Sequence, residues 1–242
     1  MKKIIIYDFD GTLTPNPIPR FEILEKFGIK NGLRNHEFMK KVALKSKTEN
    51  INLFNALFEI CFDLIKENGY KINDDTFSFG ADNVDYNEGV IEFLDMLCKN
   101  NIDNYLLSSG IKVFLNKTII SKYFKDIYAT TFNYDENKEA TSCDFIMSDK
   151  NKVTAIKEIL RNNNIDENDC TNVIYIGDGL TDYYAMEYVK NHNGISIFVY
   201  QDSNSKEITD MKEKGVVSLF TKADYRKNSK LYKYINSVCE IK

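Results

Sequence analysis

Ile4-Ile5-Ile6-Tyr7-Asp8-Phe9-Asp10-Gly11-Thr12-Leu13-Thr14 is an apolar, β-branched run that ends in two carboxylates spaced two apart, then in a glycine and a threonine. A run this short suits a buried parallel strand rather than a helix. Strand alternation sends Asp8 and Asp10 to the same side, and a twisting exit at Gly11 leaves both at the strand's carboxyl end. Open α/β sheets take their ligands at that edge. Two carboxylates crowded there repel each other, which invites a divalent cation or a shared proton.

Three further stretches repeat the theme. The apolar strand Val173-Ile174-Tyr175-Ile176 runs into Gly177-Asp178-Gly179-Leu180-Thr181-Asp182, and Tyr105-Leu106-Leu107 runs into Ser108-Ser109-Gly110. Lys152 stands ahead of a helical pattern in which Val153, Ile156, Ile159 and Leu160 share a face. In this order the four stretches resemble the motifs of the haloacid dehalogenase-like hydrolase superfamily: D-x-D-G-T at Asp8 to Thr12, a strand-terminal Ser at Ser108, a Lys opening a helix at Lys152, and G-D-G-x-x-D at residues 177–182. The resemblance covers most of the chain outside roughly residues 15–86.

Composition agrees with a globular protein. The 242 residues allow one large domain or a core with a modest insert, and 43% are hydrophobic and 13% aromatic. A net charge of −4 gives no field that would draw nucleic acid or an anionic membrane. No stretch reaches the length of a membrane span, and the residues before Asp8 are too few for a signal peptide. The five cysteines form no C-x-x-C pair, so reduced thiols and a cytoplasmic location are expected. His36 and His192 are the only histidines, which argues against histidine-based catalysis or a histidine metal site.

After Asp10 the α/β alternation is interrupted. Pro15, Pro17 and Pro19, the only prolines, make a stiff, extended stretch. A helix is expected from about Phe21 to Gly28, another over Asn35–Lys47, and a longer one from about Ile51 to Asn68, where Ile51, Phe54, Phe58, Cys61 and Ile65 recur three or four apart. Residues 15–86 therefore read as a small helical cap with its aromatic stripe as its own core, inserted into a core domain of residues 1–14 and 87–242. In that core, helices are expected near Val90–Leu97, Lys112–Phe124, Tyr183–Val189 and Lys227–Val238. Strands are expected at Ile127–Thr131, Ile195–Tyr200 and Val216–Phe220, and a small strand pair around Asn133–Asn137. Strands alternating with helices imply a doubly wound, Rossmann-like parallel sheet.

The resemblance implies a chemistry: phosphoryl transfer through an aspartyl phosphate on Asp8, with Asp10 protonating the leaving alcohol and then deprotonating the hydrolytic water. It implies Mg²⁺ held by Asp8, the Asp10 carbonyl and Asp178, with Asp182 supporting the site from behind. Ser108 and the backbone N–H groups of Phe9, Asp10 and Ser109 would hold the phosphoryl oxygens, and Lys152 would offset their charge. Ser109 competes with Ser108, and Lys150 with Lys152. The second acid of the first motif separates phosphatases of the superfamily from its carbon–halogen hydrolases, whose halide needs no proton.

A helical cap after the first motif is similar to the phosphoserine phosphatase-like branch. That branch grips serine with an acidic residue soon after the first motif and an arginine deeper in the cap. Here Pro15-Asn16-Pro17-Ile18-Pro19 occupies the early positions, Glu22 is displaced, and Arg34 is the lone cap arginine from Leu33 onward. A small phosphomonoester other than phosphoserine is expected. The alternatives are a phosphomutase or phosphotransferase using the same aspartyl phosphate, and a catalytically silent binding protein.

Overall fold

A computed structural model describes residues 2–15, 35–51, 53–69, 71–203 and 206–241. At its centre stands β1 (Ile4–Tyr7), all four residues buried. Its parallel neighbours are β2 (Asp103–Ile111) and β5 (Val173–Gly177). Beyond β2 lie β3 (Asp126–Tyr134) and the antiparallel β4 (Ala140–Phe145); beyond β5 lie β6 (Ile195–Tyr200) and β7 (Leu219–Lys222). The spatial order is β4-β3-β2-β1-β5-β6-β7. The chain thus builds outward on one side of β1 and then restarts on the other, so β1 sits at the switch point where a crevice opens. This is the expected α/β, Rossmann-like sheet.

The pleat divides the core. Ile5 and Tyr7 face one cluster, with α4 (Val90–Lys99) and α9 (Lys230–Val238) packed over it. Ile4 and Ile6 face the other, covered by α6 (Asp149–Asn162), α7 (Tyr183–Asn191) and α8 (Lys206–Lys214). Because β1 is covered on both faces, it can be apolar throughout.

Residues 35–86 form helices α1 (His36–Glu49), α2 (Leu53–Glu67) and the short α3 (Asp74–Phe77). The Asn35 side chain caps α1 by accepting from Glu37 and Phe38 N–H. Phe38 and Val42 of α1 pack on Ala56 and Leu57 of α2. The aromatic stripe departs from the expectation of a separate core. Ile51, Phe54 and Cys61 join the α1–α2 cluster, but Phe58 and Ile65 belong to the main core. Phe58, Phe62 and Phe77 all pack on Phe132 of β3, the last as a stacked pair with ring centroids 4.3 Å apart. The reason is that β3 continues past its pairing with β2 into the hairpin with β4 and offers there an apolar ring that α2 and α3 cover.

Other boundaries also shift. β2 continues beyond Ser108 to Ile111 through a register irregularity after Leu107. The strand pair expected around Asn133–Asn137 is the longer β3–β4 hairpin, whose turn is held by Asp135 accepting from Asn137 and Glu139 N–H. The helix expected over Lys112–Phe124 is α5 (Lys112–Lys117) followed by a 3₁₀ turn at Ser121–Tyr123. The last helix starts at Lys230, where Ser229 accepts from Tyr232 N–H. β7 lies three residues later than expected, and α8 was not foreseen. The helix expected near Phe21 falls outside the described residues. No helix among the described residues is long and apolar enough to cross a membrane.

Candidate active site

Register brings the motifs together. Tyr7 pairs with Leu106 on one side and Ile176 on the other, so Asp8 leaves the sheet beside the ends of β2 and β5. Asp8 N–H donates to the Ile176 carbonyl at 2.9 Å. The chain then turns tightly, with Thr12, Leu13 and Thr14 N–H all donating to the Phe9 carbonyl. Gly11 makes this turn possible. Its φ of 76° is left-handed, and a Cβ there would stand 2.0 Å from Asp178 Oδ2.

Asp178 follows Gly177 at the end of β5, and its Oδ1 accepts from Thr12 Oγ1 at 3.2 Å. A 3₁₀ turn over Leu180–Asp182 swings Asp182 back under the loop, fully buried. There its carboxylate accepts four donors: Asp178 and Gly179 N–H at 3.1 and 3.2 Å on Oδ2, and Lys152 Nζ and Tyr175 OH, each at 2.6 Å, on Oδ1. Lys152 stands in the first turn of α6, three residues inside the helix, and its Nζ reaches Asp8 Oδ1 at 2.7 Å as well. Single oxygens of Asp8, Asp178 and Asp182 lie within 4.8 Å of one another.

The remaining expected residues fall as follows. The Asp10 carboxylate is half-buried and outside that group of three. Ser108 is buried at the crevice, its Oγ accepting from Gly110 N–H at 3.0 Å, while Ser109 is half-buried. Lys150 is exposed at the surface, away from the ion pairs that Lys152 makes. Glu22 and Arg34 lie outside the described residues. Tyr175 is a contributor that sequence reasoning missed; within an apolar strand its ring reads as core, and only the fold shows its hydroxyl reaching Asp182.

Two buried carboxylates and the half-buried Asp178 face one buried ammonium, and the excess negative charge shows in the protonation. Burial pushes Asp8 up to about 7, with Lys152 pulling it down and Asp182 and Asp10 pushing it further up. Burial, then Asp8 and Asp182, raise Asp178 well above the carboxylate range. Burial works against the charge on Lys152, but Asp182 and Asp8 outweigh it and raise its pKa. A cluster of hard oxygen donors short of positive charge fits a divalent cation. Removing the ammonium should be costly, because it strands two carboxylates. Lys152→Met should destabilise the metal-free protein by about 3–5 kcal/mol at about pH 8. Urea unfolding checks this, and a loss under about 1 kcal/mol would show that the pairs barely exceed their desolvation cost.

A cavity of about 630 Å³ opens between α1, α2 and β4, lined by Lys45, Glu59, Lys66 and Cys143 among others. It also borders Ser148, just ahead of α6, and Asn151 in the first turn of that helix, one residue before Lys152.

With this geometry in place, comparison with known proteins places the chain. The family model described as haloacid dehalogenase-like hydrolase matches residues 5–187, and the chain belongs to that family. Among solved structures, a haloacid dehalogenase family hydrolase from Salmonella enterica serovar Typhi superposes with a TM-score of 0.67 at 16% identity, covering 99% of this chain and 71% of the other. A substrate-bound phosphoserine phosphatase gives 0.65 at 19%, covering 97% and 98%. A phospho-aspartyl intermediate analogue of phosphoserine phosphatase gives 0.62 at 18%, covering 98% of each chain. No curated protein matches.

Proposed function

We propose that the protein is a Mg²⁺-dependent phosphatase that hydrolyses a small phosphomonoester through a phosphorylated Asp8. The observation that carries this reading is the convergence of Asp8, Asp178, Asp182 and Lys152 at the switch point of the sheet, with Asp10 two residues from Asp8. Family membership and the phosphatase folds it resembles support it.

Asp8 Oδ attacks phosphorus in line while the ester P–O bond breaks. The leaving oxygen takes a proton from the Asp10 carboxyl. Water then attacks the same phosphorus, losing a proton to Asp10, and the bond to Asp8 breaks to release inorganic phosphate. Ser108, its Oγ already accepting from Gly110, has its own hydroxyl proton to donate to a phosphoryl oxygen, and the N–H groups of Phe9, Asp10 and Ser109 would add to that cradle. Lys152, tied to Asp8 and Asp182, would lend its charge to the same oxygens. Asp8 and Asp178, with the Asp10 carbonyl, would hold Mg²⁺. Asp182 already accepts four donors, which suits it to orienting Lys152 and the Asp178–Gly179 backbone rather than to direct ligation. Mg²⁺, when bound, would neutralise the charge between nucleophile and phosphate.

Residues 15–86 would act as a cap that sets specificity, with residues 1–14 and 87–242 as the catalytic core. A cap that closes over the sheet edge would leave little room, which favours a small ester over a phosphoprotein. The early run of prolines at the positions where the phosphoserine enzymes keep an acid favours a substrate with fewer charges away from the phosphate. A screen of metabolite phosphomonoesters for phosphate release tests this; a clear preference for L-phosphoserine would overturn the choice of substrate and leave the mechanism standing.

Metal dependence has a pH signature. The folded Asp8 carboxyl holds its proton more tightly than the unfolded chain does, so the metal-free protein should lose stability as pH climbs from about 4 toward about 7. Mg²⁺ requires the carboxylate, so the rise in Tm that it produces should be small below that range and grow as pH approaches about 7. Chelation should abolish turnover, and Mg²⁺ should restore it. Full activity after exhaustive chelation sinks the metal assignment.

A further inference from the structure

We propose that Asn87, Gln201 and Tyr225 are positioning residues that clamp the turn that follows Asp8 and carries Asp10 to the point where the chain returns from residues 15–86. The turn at Phe9–Thr14 hangs three amides on one carbonyl and passes through a left-handed glycine, so its own hydrogen bonds define it weakly. Its outward carbonyls are held instead by residues distant in sequence. Gln201 Nε2 donates to the Gly11 carbonyl at 3.1 Å. Asn87 Nδ2 and Tyr225 OH both donate to the Thr12 carbonyl, at 2.8 and 2.9 Å. Asn87 N–H donates to the Leu13 carbonyl at 2.9 Å.

The three clamp residues are also tied to each other. Gln201 Nε2 donates to Asn87 Oδ1 at 3.1 Å, and Tyr225 N–H donates to the Glu88 carbonyl at 2.9 Å. The Asn87 side chain is thus used on both its oxygen and its nitrogen. Behind it the backbone is close-packed: a Cβ on Gly89 would stand 2.6 Å from Arg226 N. Gln201 follows β6 and Tyr225 follows β7, both at the carboxyl edge of the sheet, so the clamp ties the turn to strands that do not themselves carry the motifs. Asn87 faces both ways. It grips the outgoing chain at Thr12 and Leu13 while itself belonging to the returning chain, so the two crossings between the segments meet at the turn that follows the nucleophile.

Satisfying buried carbonyls is a structural service in its own right. In-line attack adds a demand that stability does not make, because the attacking oxygen must be held to a fraction of an ångström. The kinetic half of this inference rests on the phosphatase reading above. The test compares Asn87→Ala and Tyr225→Phe with the wild type. Tyr225→Phe deletes one hydroxyl from an otherwise intact ring, so it keeps the fold. With p-nitrophenyl phosphate as probe, kcat should fall about tenfold in Tyr225→Phe and about a hundredfold in Asn87→Ala, with KM within about twofold. Hydrogen exchange read by mass spectrometry should speed up at residues 9–14 and stay unchanged along β5 and β6. Wild-type kcat in both variants, or equal falls in kcat and rises in KM, overturns the positioning role. Unchanged exchange at residues 9–14 in Asn87→Ala overturns the clamp itself. Should the wild type turn over no phosphomonoester, the phosphatase reading fails and the exchange result alone decides the clamp.

Discussion

Asp8→Asn should lower turnover by at least about a thousandfold, which is roughly 4 kcal/mol of barrier. The amide matches the carboxylate in shape but has no anionic oxygen to attack phosphorus. Its partner Lys152 keeps the second carboxylate of Asp182, so the variant should fold. It should even gain stability without metal, because a buried acid crowded by two others becomes neutral. That combination separates loss of a nucleophile from loss of structure. Two measurements read it: steady-state phosphate release, and mass spectrometry of acid-quenched enzyme, where the phosphorylated form expected of the wild type should be absent from the variant. Activity above about a tenth of wild type would mean that another group attacks phosphorus.

The parts legible in the sequence were those with a local signature. An apolar run such as Ile4–Tyr7 or Val173–Ile176 declares a strand buried on both faces, and the structure buries every residue of both. Once both strands are parallel and adjacent, Asp8 and Asp178 must meet, and the crossing helix delivers Lys152 to them. The apolar pattern starting at Val153 favours Lys152 over Lys150 without excluding the latter; the pitch of α6 turns one inward and the other to solvent. What stayed hidden has no period to betray it. α8 buries only Ile208 and Met211 among its charges, too sparse a stripe to read. Phe58 and Phe62 announce a core without saying that Phe132 supplies it. Tyr175 and the clamp residues act through a few hydrogen bonds with no repeat, the clamp's reaching across sequence separations of 75, 190 and 213. A polar group used at such a distance leaves no pattern in the sequence.

Asp10→Asn is the sharper test of mechanism, because Asp10 is asked to do two things. On the proposed mechanism it would give a proton to the leaving oxygen in the first half-reaction and would take one from water in the second. Its half-buried carboxylate stands outside the group of three, in keeping with proton transfer rather than metal ligation through the side chain. An alkyl phosphate needs that proton, so its first half-reaction should slow by about 10²–10⁴-fold. An aryl phosphate with a good leaving group departs as the anion, and its first half-reaction should be nearly spared. Hydrolysis of phosphorylated Asp8 still lacks its base. The variant should therefore release one equivalent of phenol per enzyme in a rapid burst and then turn over slowly, with the phosphorylated chain accumulating. The alkyl ester should show no burst. Rapid-quench kinetics with both esters decides the matter: if the first turnover slows equally for aryl and alkyl phosphate, Asp10 is not the acid, and its carboxylate serves the site through charge or structure alone.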